Sequence, residues 1–119
     1  MAKTINKGFQ RLVNATKFSY QGIKSAYANE EAFRQEVWVL LLAVPIAIYF
    51  AGSLQETLIL ICGVLLVMLV ELINSAIEAA VDRIGDEHHE LSGRAKDMGS
   101  AAVAIAVIIC AGIWVSVLV

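Results

Sequence analysis

The sequence predicts an all-α integral membrane protein with an amphipathic N-terminal surface helix followed by three transmembrane helices. Of the 119 residues, 59% are hydrophobic and only 17% are charged, whereas charged residues approach about a quarter of an ordinary soluble domain. Three apolar runs approach the ~20 residues that a membrane-spanning helix needs. A chain of this length is expected to form one domain, residues 1–119.

The first predicted element is a surface helix over about residues 6–28. Its apolar side chains recur at helical spacing, and basic and amide side chains occupy much of the remaining surface. This pattern favours a helix that lies on an anionic cytoplasmic leaflet, and the alternative is a soluble helix that packs on a partner protein. The apolar set is Phe9, Leu12, Val13, Tyr20, Ile23 and Tyr27.

The three spans are expected at about residues 31–52, 55–84 and 92–118. Gly52 and Ser53 predict the turn between the first two spans, and Gly85 predicts the end of the second. Pro45 lies inside the first span, where a membrane helix tolerates it. The polar N-terminal segment shows no signal-peptide pattern.

The basic residues determine the expected orientation. All nine Lys and Arg precede the first span or lie between the second and third spans. By the positive-inside rule these segments are cytoplasmic, so we expect a cytoplasmic N-terminus and a periplasmic C-terminus. The residues are Lys3, Lys7, Arg11, Lys17, Lys24, Arg34, Arg83, Arg94 and Lys96.

Polar residues form a stripe on one face of the second predicted span. The stripe consists of Glu71, Asn74, Ser75, Glu78 and Asp82. Glu71 lies near the middle of that helix and Glu78 lies ~10 Å closer to the cytoplasm. An ionised acid near the bilayer centre costs roughly 2.5 to 3.5 kcal/mol, so this placement requires an explanation.

Three explanations of the stripe remain open from the residues alone. The acids could form helix–helix hydrogen bonds, they could face the pore of a non-enzymatic conduit, or they could form a polar site that opens to the cytoplasm. A polar site needs cations, from Arg34, Arg94 and Lys96 or from a bound metal. Glu30 and Arg34, four residues apart, could also pair on one helical face.

Other candidate motifs are weaker. His88 and His89 could suggest zinc, but without cysteines or a second histidine pair a solvated loop is favoured. Cys62 and Cys110 lie in apolar runs, where packing is favoured over a disulfide. No Walker loop, kinase glycine loop or nucleophile elbow occurs, so any nucleotide chemistry uses another architecture. We expect no nucleic-acid partner.

Three segments together resemble the small bacterial inner-membrane diacylglycerol kinase family. They are AFRQE at 32–36, VELINSAIEAAVDRIG at 70–85 and HELSGRAKDMGSAA at 89–102. Undecaprenol kinases share the ELIN…AIE…D core, but the RIG and SGRAKDMGSAA segments are more similar to the diacylglycerol branch. Undecaprenol kinase therefore remains the alternative within this class.

The resemblance implies a homotrimer in the bacterial inner membrane, with active sites shared between subunits near the cytoplasmic interface. It also implies transfer of the γ-phosphoryl group of MgATP to diacylglycerol, which gives phosphatidic acid and recycles lipid. Diacylglycerol and ATP are then the substrates, and Mg²⁺ is the cofactor.

Site residues follow from the resemblance position by position. Glu71 matches the general base, Glu30 and Glu78 match the magnesium and ATP ligands, and Asn74 supports them. Further nucleotide contacts are Arg11, Phe18, Glu87, His88, His89, Lys96 and Asp97. The lipid-side residues are Ser19, Ala32, Phe33, Arg34, Gln35, Glu36, Tyr49, Glu71, Ser100 and Trp114. The chain departs from the family pattern at Phe18, where an aromatic hydroxyl is expected, at His88, often tyrosine, and at Tyr49, often tryptophan.

Overall fold

A computed structural model describes residues 2–85 and 89–119, which form four α-helices. They are α1 (Ala2–Asn29), α2 (Glu31–Phe50), α3 (Leu54–Ile84) and α4 (Glu90–Leu118). The last three are long and apolar enough to cross a membrane. The predicted all-helical class with three candidate spans is therefore confirmed.

Helix α3 is the centre of the fold. It packs against both α2 and α4, while α1 packs against α2 and α3. The buried apolar side chains are Ala26, Phe33, Ala43, Ala47, Leu60, Val64, Val67 and Ala106. Because many of these are small, the helices approach one another closely, as transmembrane helices commonly do. Large apolar side chains such as Leu42, Ile48 and Ile108 remain exposed, so the outer surface suits lipid.

A capping arrangement fixes the turn between α2 and α3. The Ser53 hydroxyl accepts a hydrogen bond from the Glu56 backbone N–H at 3.1 Å, and the Glu56 carboxylate accepts one from the Gly52 N–H at 2.9 Å. These bonds satisfy backbone donors that the start of α3 would otherwise leave unpaired. The turn that the sequence predicted at Gly52 and Ser53 is thereby explained.

Arg34 joins α1 to α2. Its Nη1 donates to the backbone carbonyls of Tyr27 at 2.9 Å and Ala28 at 3.0 Å, near the C-terminus of α1. A cation at a helix C-terminus satisfies free carbonyls and offsets the negative end of the helix dipole. The guanidinium therefore binds the end of α1 instead of the Glu30 carboxylate with which the sequence suggested it could pair.

The first half of α3 is tied to α4 by close packing and one hydrogen bond. Trp114 Nε1 donates to the Leu60 carbonyl at 3.0 Å. Gly63 is buried, and a Cβ at this position would lie 3.4 Å from the Cys110 sulfur. Cys62 and Cys110 are both free thiols.

Candidate active site

The polar stripe of α3 is linked by hydrogen bonds within the helix. Ser75 Oγ donates to Glu71 Oε2 at 3.3 Å, and Asn74 Nδ2 donates to Glu78 Oε1 at 3.0 Å. Glu71 and Asn74 are 8% and 7% exposed, while Ser75 and Glu78 are half-buried and Asp82 is exposed. The stripe therefore passes from the buried interior of the fold towards its surface.

A second carboxyl group approaches Glu71 from α2. The carboxyl of Glu36 lies close to the Glu71 carboxyl. Glu36 Oε1 is buried and has no hydrogen-bond partner of its own. Two acids from neighbouring helices thus meet at the buried end of the polar stripe.

A cavity of about 700 Å³ lies between α1 and α3, and we call it the polar cavity for its five polar side chains, although most of its lining surface is apolar. Its polar lining is Ser19, Ser25, Asn29, Glu30 and Ser75, and most of the rest is small residues. Glu30 lies at the junction between α1 and α2, where its side chain makes no capping hydrogen bond. Ser75, which donates to Glu71, connects the lining of this cavity to the Glu71 carboxylate.

An apolar groove of about 520 Å³ lies between α2, α3 and α4. Its lining includes Glu36, Val39, Ala43, Val67, Cys110 and Trp114. Glu36 is its one acidic lining residue, and the remaining side chains are apolar or aromatic. Glu36, which lies close to Glu71, connects the lining of this groove to the same carboxylate.

A cationic side chain lies near the C-terminal part of α3. Lys96 of α4 forms an ion pair with Asp82 at 2.6 Å. Both side chains are well exposed, so water screens this pair and another anion can compete for the lysine. Lys96 is therefore available near the end of the stripe that faces the surface.

Asn74 also packs closely against Gly99 of α4. A Cβ added at Gly99 would collide with Asn74 Oδ1, and that oxygen is buried without a hydrogen-bond partner. The absence of a side chain at Gly99 therefore gives Asn74 room to donate to Glu78. The stripe depends on a small residue in the neighbouring helix.

The structure brings together part of the predicted site. Ser19 and Glu30 line the polar cavity, Glu36 and Trp114 line the apolar groove, and Glu71 lies close to Ser75 and Glu36, which line one cavity each. His89 is the N-cap of α4, where its Nδ1 accepts from the Leu91 N–H at 3.0 Å.

Other predicted residues lie apart from these cavities. Arg11 and Phe18 are exposed on α1, and Arg11 precedes Ser19 by about 12 Å of helix. Tyr49 packs edge-to-face on Phe50, about 20 Å along α2 from Glu36. Phe33 is a core residue that is 2% exposed, whereas Ala32, Gln35, Asp97 and Ser100 are exposed. Glu87 and His88 fall outside the described residues.

Sequence reasoning did not assign two residues that the structure places at the site. Ser75 belongs to the predicted polar stripe, but the resemblance assigns it no role in catalysis or binding. Its position four residues after Glu71 nevertheless predicts their hydrogen bond. Asn29, at the end of α1, lines the polar cavity. No spacing rule connects α1 to α3, so only the packed structure reveals this contribution.

Comparison with known proteins identifies the family to which the chain belongs. The family model of prokaryotic diacylglycerol kinase matches residues 17–118. The chain belongs to the prokaryotic diacylglycerol kinase family. Every site residue carried over from the sequence resemblance, except Arg11, falls inside the matched range.

Individual relatives of the family cover nearly the whole chain. Diacylglycerol kinase of Escherichia coli strain K12 is 55% identical over 107 residues, which is 90% of this chain and 88% of the relative. Diacylglycerol kinase of Haemophilus influenzae is 50% identical over 111 residues, 93% of this chain and 94% of the relative. The Pseudomonas aeruginosa diacylglycerol kinase is 43% identical over 111 residues, which is 93% of this chain and 90% of the relative.

Proposed function

We propose that this protein is an ATP-dependent diacylglycerol kinase that acts where the bilayer meets the cytoplasm. One observation carries the proposal: the buried Glu71 lies close to one lining residue of each cavity, Ser75 of the polar cavity and Glu36 of the apolar groove. A lipid kinase needs such a junction, because its donor is dissolved in water and its acceptor stays in the membrane. The names of the relatives support diacylglycerol as the acceptor.

Glu71 is the general base in this proposal. It removes the proton from the primary hydroxyl of diacylglycerol while the hydroxyl oxygen forms a bond to the γ-phosphorus of ATP. The bond between the γ-phosphorus and the bridging β–γ oxygen breaks, and ADP leaves with that electron pair. The products are phosphatidic acid, ADP and a proton on Glu71, which returns to water through the polar cavity.

Magnesium would be held with the nucleotide by Glu30 and Glu78. Residues 2–85 and 89–119 contain no cluster of three or more protein groups that could hold a metal. Two carboxylates, those of Glu30 and Glu78, suit Mg²⁺ in chemistry and number, because this ion uses one or two carboxylates and completes its coordination with substrate phosphates and water. When bound, the ion neutralises charge on the phosphates. Asn74 orients Glu78 through its 3.0 Å hydrogen bond.

Lys96 provides positive charge for the phosphates. Its partner Asp82 is exposed, and a phosphate oxygen can replace that carboxylate at little cost. Asp97, His89, Arg11 and Phe18, with Glu87 and His88, are proposed as further nucleotide contacts from the resemblance alone.

The apolar groove is proposed to hold an acyl chain of the lipid substrate. It extends from Trp114 to Glu36, so a chain in the groove would place its headgroup near Glu71. The other lipid-side residues remain proposals from the resemblance: Ser19, Ala32, Phe33, Arg34, Gln35, Tyr49 and Ser100.

The proposal includes a homotrimer in the bacterial inner membrane, with a cytoplasmic N-terminus and sites shared between subunits. The positive-inside distribution supports this orientation, and α1 would lie on the cytoplasmic leaflet. Extensive exposed apolar surface on α4 leaves room for contacts with further subunits as well as with lipid.

Incubation of the purified protein with labelled ATP, Mg²⁺ and lipid alcohols tests the function. Diacylglycerol and undecaprenol are assayed side by side in the same bilayers. We expect label in phosphatidic acid and little in undecaprenyl phosphate. Preferential labelling of undecaprenol would show that undecaprenol, not diacylglycerol, is the acceptor. Ion flux without phosphate transfer would support a conduit instead of a kinase.

A further inference from the structure

The short joint between α1 and α2 carries one of the two proposed magnesium ligands. Glu78, the other ligand, belongs to the regular helix α3, so the backbone of that helix fixes its position. Glu30 is instead the only residue between α1 and α2, and its backbone is extended, with φ −116° and ψ 111°. Because the Glu30 side chain makes no capping hydrogen bond, the direction of its carboxylate depends on how firmly the joint is held.

Packing alone does little to hold α1 in place. Among residues 7–29, only Ala26 is buried, at 7% exposed. Phe33, in the first turn of α2, is the large buried side chain nearest to the joint, but it belongs to the other helix. Hydrogen bonds at the end of α1 therefore supply much of the constraint on the joint.

Arg34 makes most of these hydrogen bonds. The last carbonyls of a helix have no partner inside it. The Ala26 carbonyl accepts from the Glu30 backbone N–H at 2.8 Å, whereas the carbonyls of Tyr27 and Ala28 accept from the Arg34 side chain at 2.9 and 3.0 Å. The Arg34 backbone N–H also donates to the Glu30 carbonyl at 3.1 Å. Arg34 thus bonds to the chain on one side of Glu30 and to Glu30 itself.

We propose that Arg34 is a positioning residue for Glu30: its guanidinium fixes the joint between α1 and α2, so that the Glu30 carboxylate stays directed at the bound metal–nucleotide complex. Hydrogen bonds from a cation are stronger than neutral ones, and a cation at a helix C-terminus also offsets the helix dipole. One nitrogen, Nη1, contacts both carbonyls, so the role needs a single cationic donor. Since Glu30 lines the polar cavity, the same joint determines where its carboxylate enters that cavity.

This assignment rests on the proposed kinase function and changes one part of it. The resemblance places Arg34 among the lipid-side residues, and a residue that binds lipid affects mainly the KM for diacylglycerol. A residue that positions a metal ligand affects instead the affinity for the metal–nucleotide complex. The two roles therefore predict different losses when Arg34 is replaced.

Binding of Mn²⁺ together with a non-hydrolysable ATP analogue tests the assignment without turnover. Mn²⁺ takes the same oxygen ligands and octahedral geometry as Mg²⁺, and electron paramagnetic resonance measures its free concentration. We expect Arg34→Met to weaken binding of this complex by about tenfold and Arg34→Lys by less than about threefold, because lysine still supplies a cationic donor. Lys24→Met, which removes an exposed cation of α1, should have no effect. Equal losses in Arg34→Met and Lys24→Met would overturn the positioning role in favour of a general effect of charge.

A double-mutant cycle separates positioning of Glu30 from a general structural role. If Arg34 acts through Glu30, Arg34→Met should weaken binding by less than about twofold in a Glu30→Gln background. Additive losses would overturn the assignment, and so would a raised KM for diacylglycerol with unchanged binding of the manganese complex. Circular dichroism checks that Arg34→Met folds. If it does not, Arg34→Gln, whose shorter neutral side chain also removes the cation, takes its place in the cycle.

These measurements also distinguish a failure of this inference from a failure of the proposed function. If the binding cycle behaves as expected but no lipid is phosphorylated, Arg34 positions a metal–nucleotide ligand and the kinase assignment fails. If diacylglycerol is phosphorylated and the losses are additive, the kinase assignment stands and the positioning role fails.

Discussion

The two halves of α3 are built in different ways. In the first half, the apolar side chains of Leu60, Val64 and Val67 are buried. The polar side chains of Ser53 and Glu56 form the capping hydrogen bonds at the start of the helix. In the second half, Glu71 and Asn74 are buried. Two buried oxygens there, Glu36 Oε1 on the neighbouring helix and Asn74 Oδ1, have no hydrogen-bond partner.

This difference separates the part of the helix that stabilises the fold from the part that we propose to carry the chemistry. Unpaired buried polar atoms reduce stability and are rare in native structures. Proteins depart from local stability rules mainly at functional sites, which supports the proposed site in the second half of α3. Substitutions in the two halves should accordingly have opposite consequences: loss of activity in one, loss of stability in the other.

The largest effect is expected at Glu71. Glu71→Gln removes the base but keeps a side chain of the same size that can still accept from Ser75. We expect phosphorylation of diacylglycerol to fall by about 10²- to 10⁴-fold, the usual contribution of a general base, while folding and assembly are unchanged. Turnover by purified protein in bilayers measures this change.

Glu56→Gln is the matched control, because it makes the same chemical change in the first half of α3. It should retain nearly full turnover. Comparable turnover in Glu71→Gln would remove the base assignment.

A somewhat smaller effect is expected at the proposed magnesium ligands. Glu78→Gln and Glu30→Gln each remove one carboxylate, and charge-assisted contacts contribute about 1.5 to 3 kcal/mol. The apparent affinity for MgATP should fall by about 10- to 100-fold. Titration of activity against Mg²⁺ at fixed ATP measures it, and an unchanged metal requirement in both variants would count against this pair of ligands.

Gly99→Ala should disturb both packing and chemistry. The new methyl group would collide with Asn74 Oδ1, so Asn74 must turn away from Glu78 or the two helices must separate. We expect a stability loss of about 1–3 kcal/mol together with reduced turnover. Thermal unfolding in detergent, alongside the kinase assay, measures the two effects.

Gly112→Ala in the same helix provides the control, since a Cβ there meets no atom within 4 Å. It should be neutral or slightly stabilising, because alanine favours a helix over glycine. Equal effects of the two substitutions would mean that the Asn74 contact has no special importance.

The smallest effect is expected at the helix start. Ser53→Ala removes the hydroxyl that accepts from the Glu56 N–H and should cost about 1 kcal/mol of stability. Turnover below the unfolding temperature should not change. Ser116→Ala is a suitable comparison, because Ser116 bonds only to the Ile113 carbonyl of its own helix and should affect stability less. A selective loss of turnover in Ser53→Ala would contradict the division of α3 into a stabilising first half and a second half that carries the proposed chemistry.

Helical periodicity and hydrophobicity were enough to predict four helices and three candidate spans, because both are local properties of the chain. The alignment of Glu71, Ser75, Asn74 and Glu78 on one face also followed from helix geometry alone. The meeting of Glu36 with Glu71 did not, since it depends on how α2 packs on α3. The polar cavity was likewise unpredictable, because α1 contributes to it through tertiary packing.

Substrate protection at single cysteines tests most directly whether Glu71 lies between an aqueous donor and a membrane acceptor. In a background without Cys62 and Cys110, cysteine replaces Ser75 in the polar cavity, Val39 in the apolar groove or Leu69 on the exposed surface of α3. Labelling rates are then measured in bilayers with a membrane-permeant maleimide.

We predict that MgATP slows labelling of Ser75→Cys, that diacylglycerol slows labelling of Val39→Cys, and that neither affects Leu69→Cys. Protection of Leu69→Cys, or no protection at the first two positions by saturating substrates, would contradict the placement of Glu71 between nucleotide and lipid.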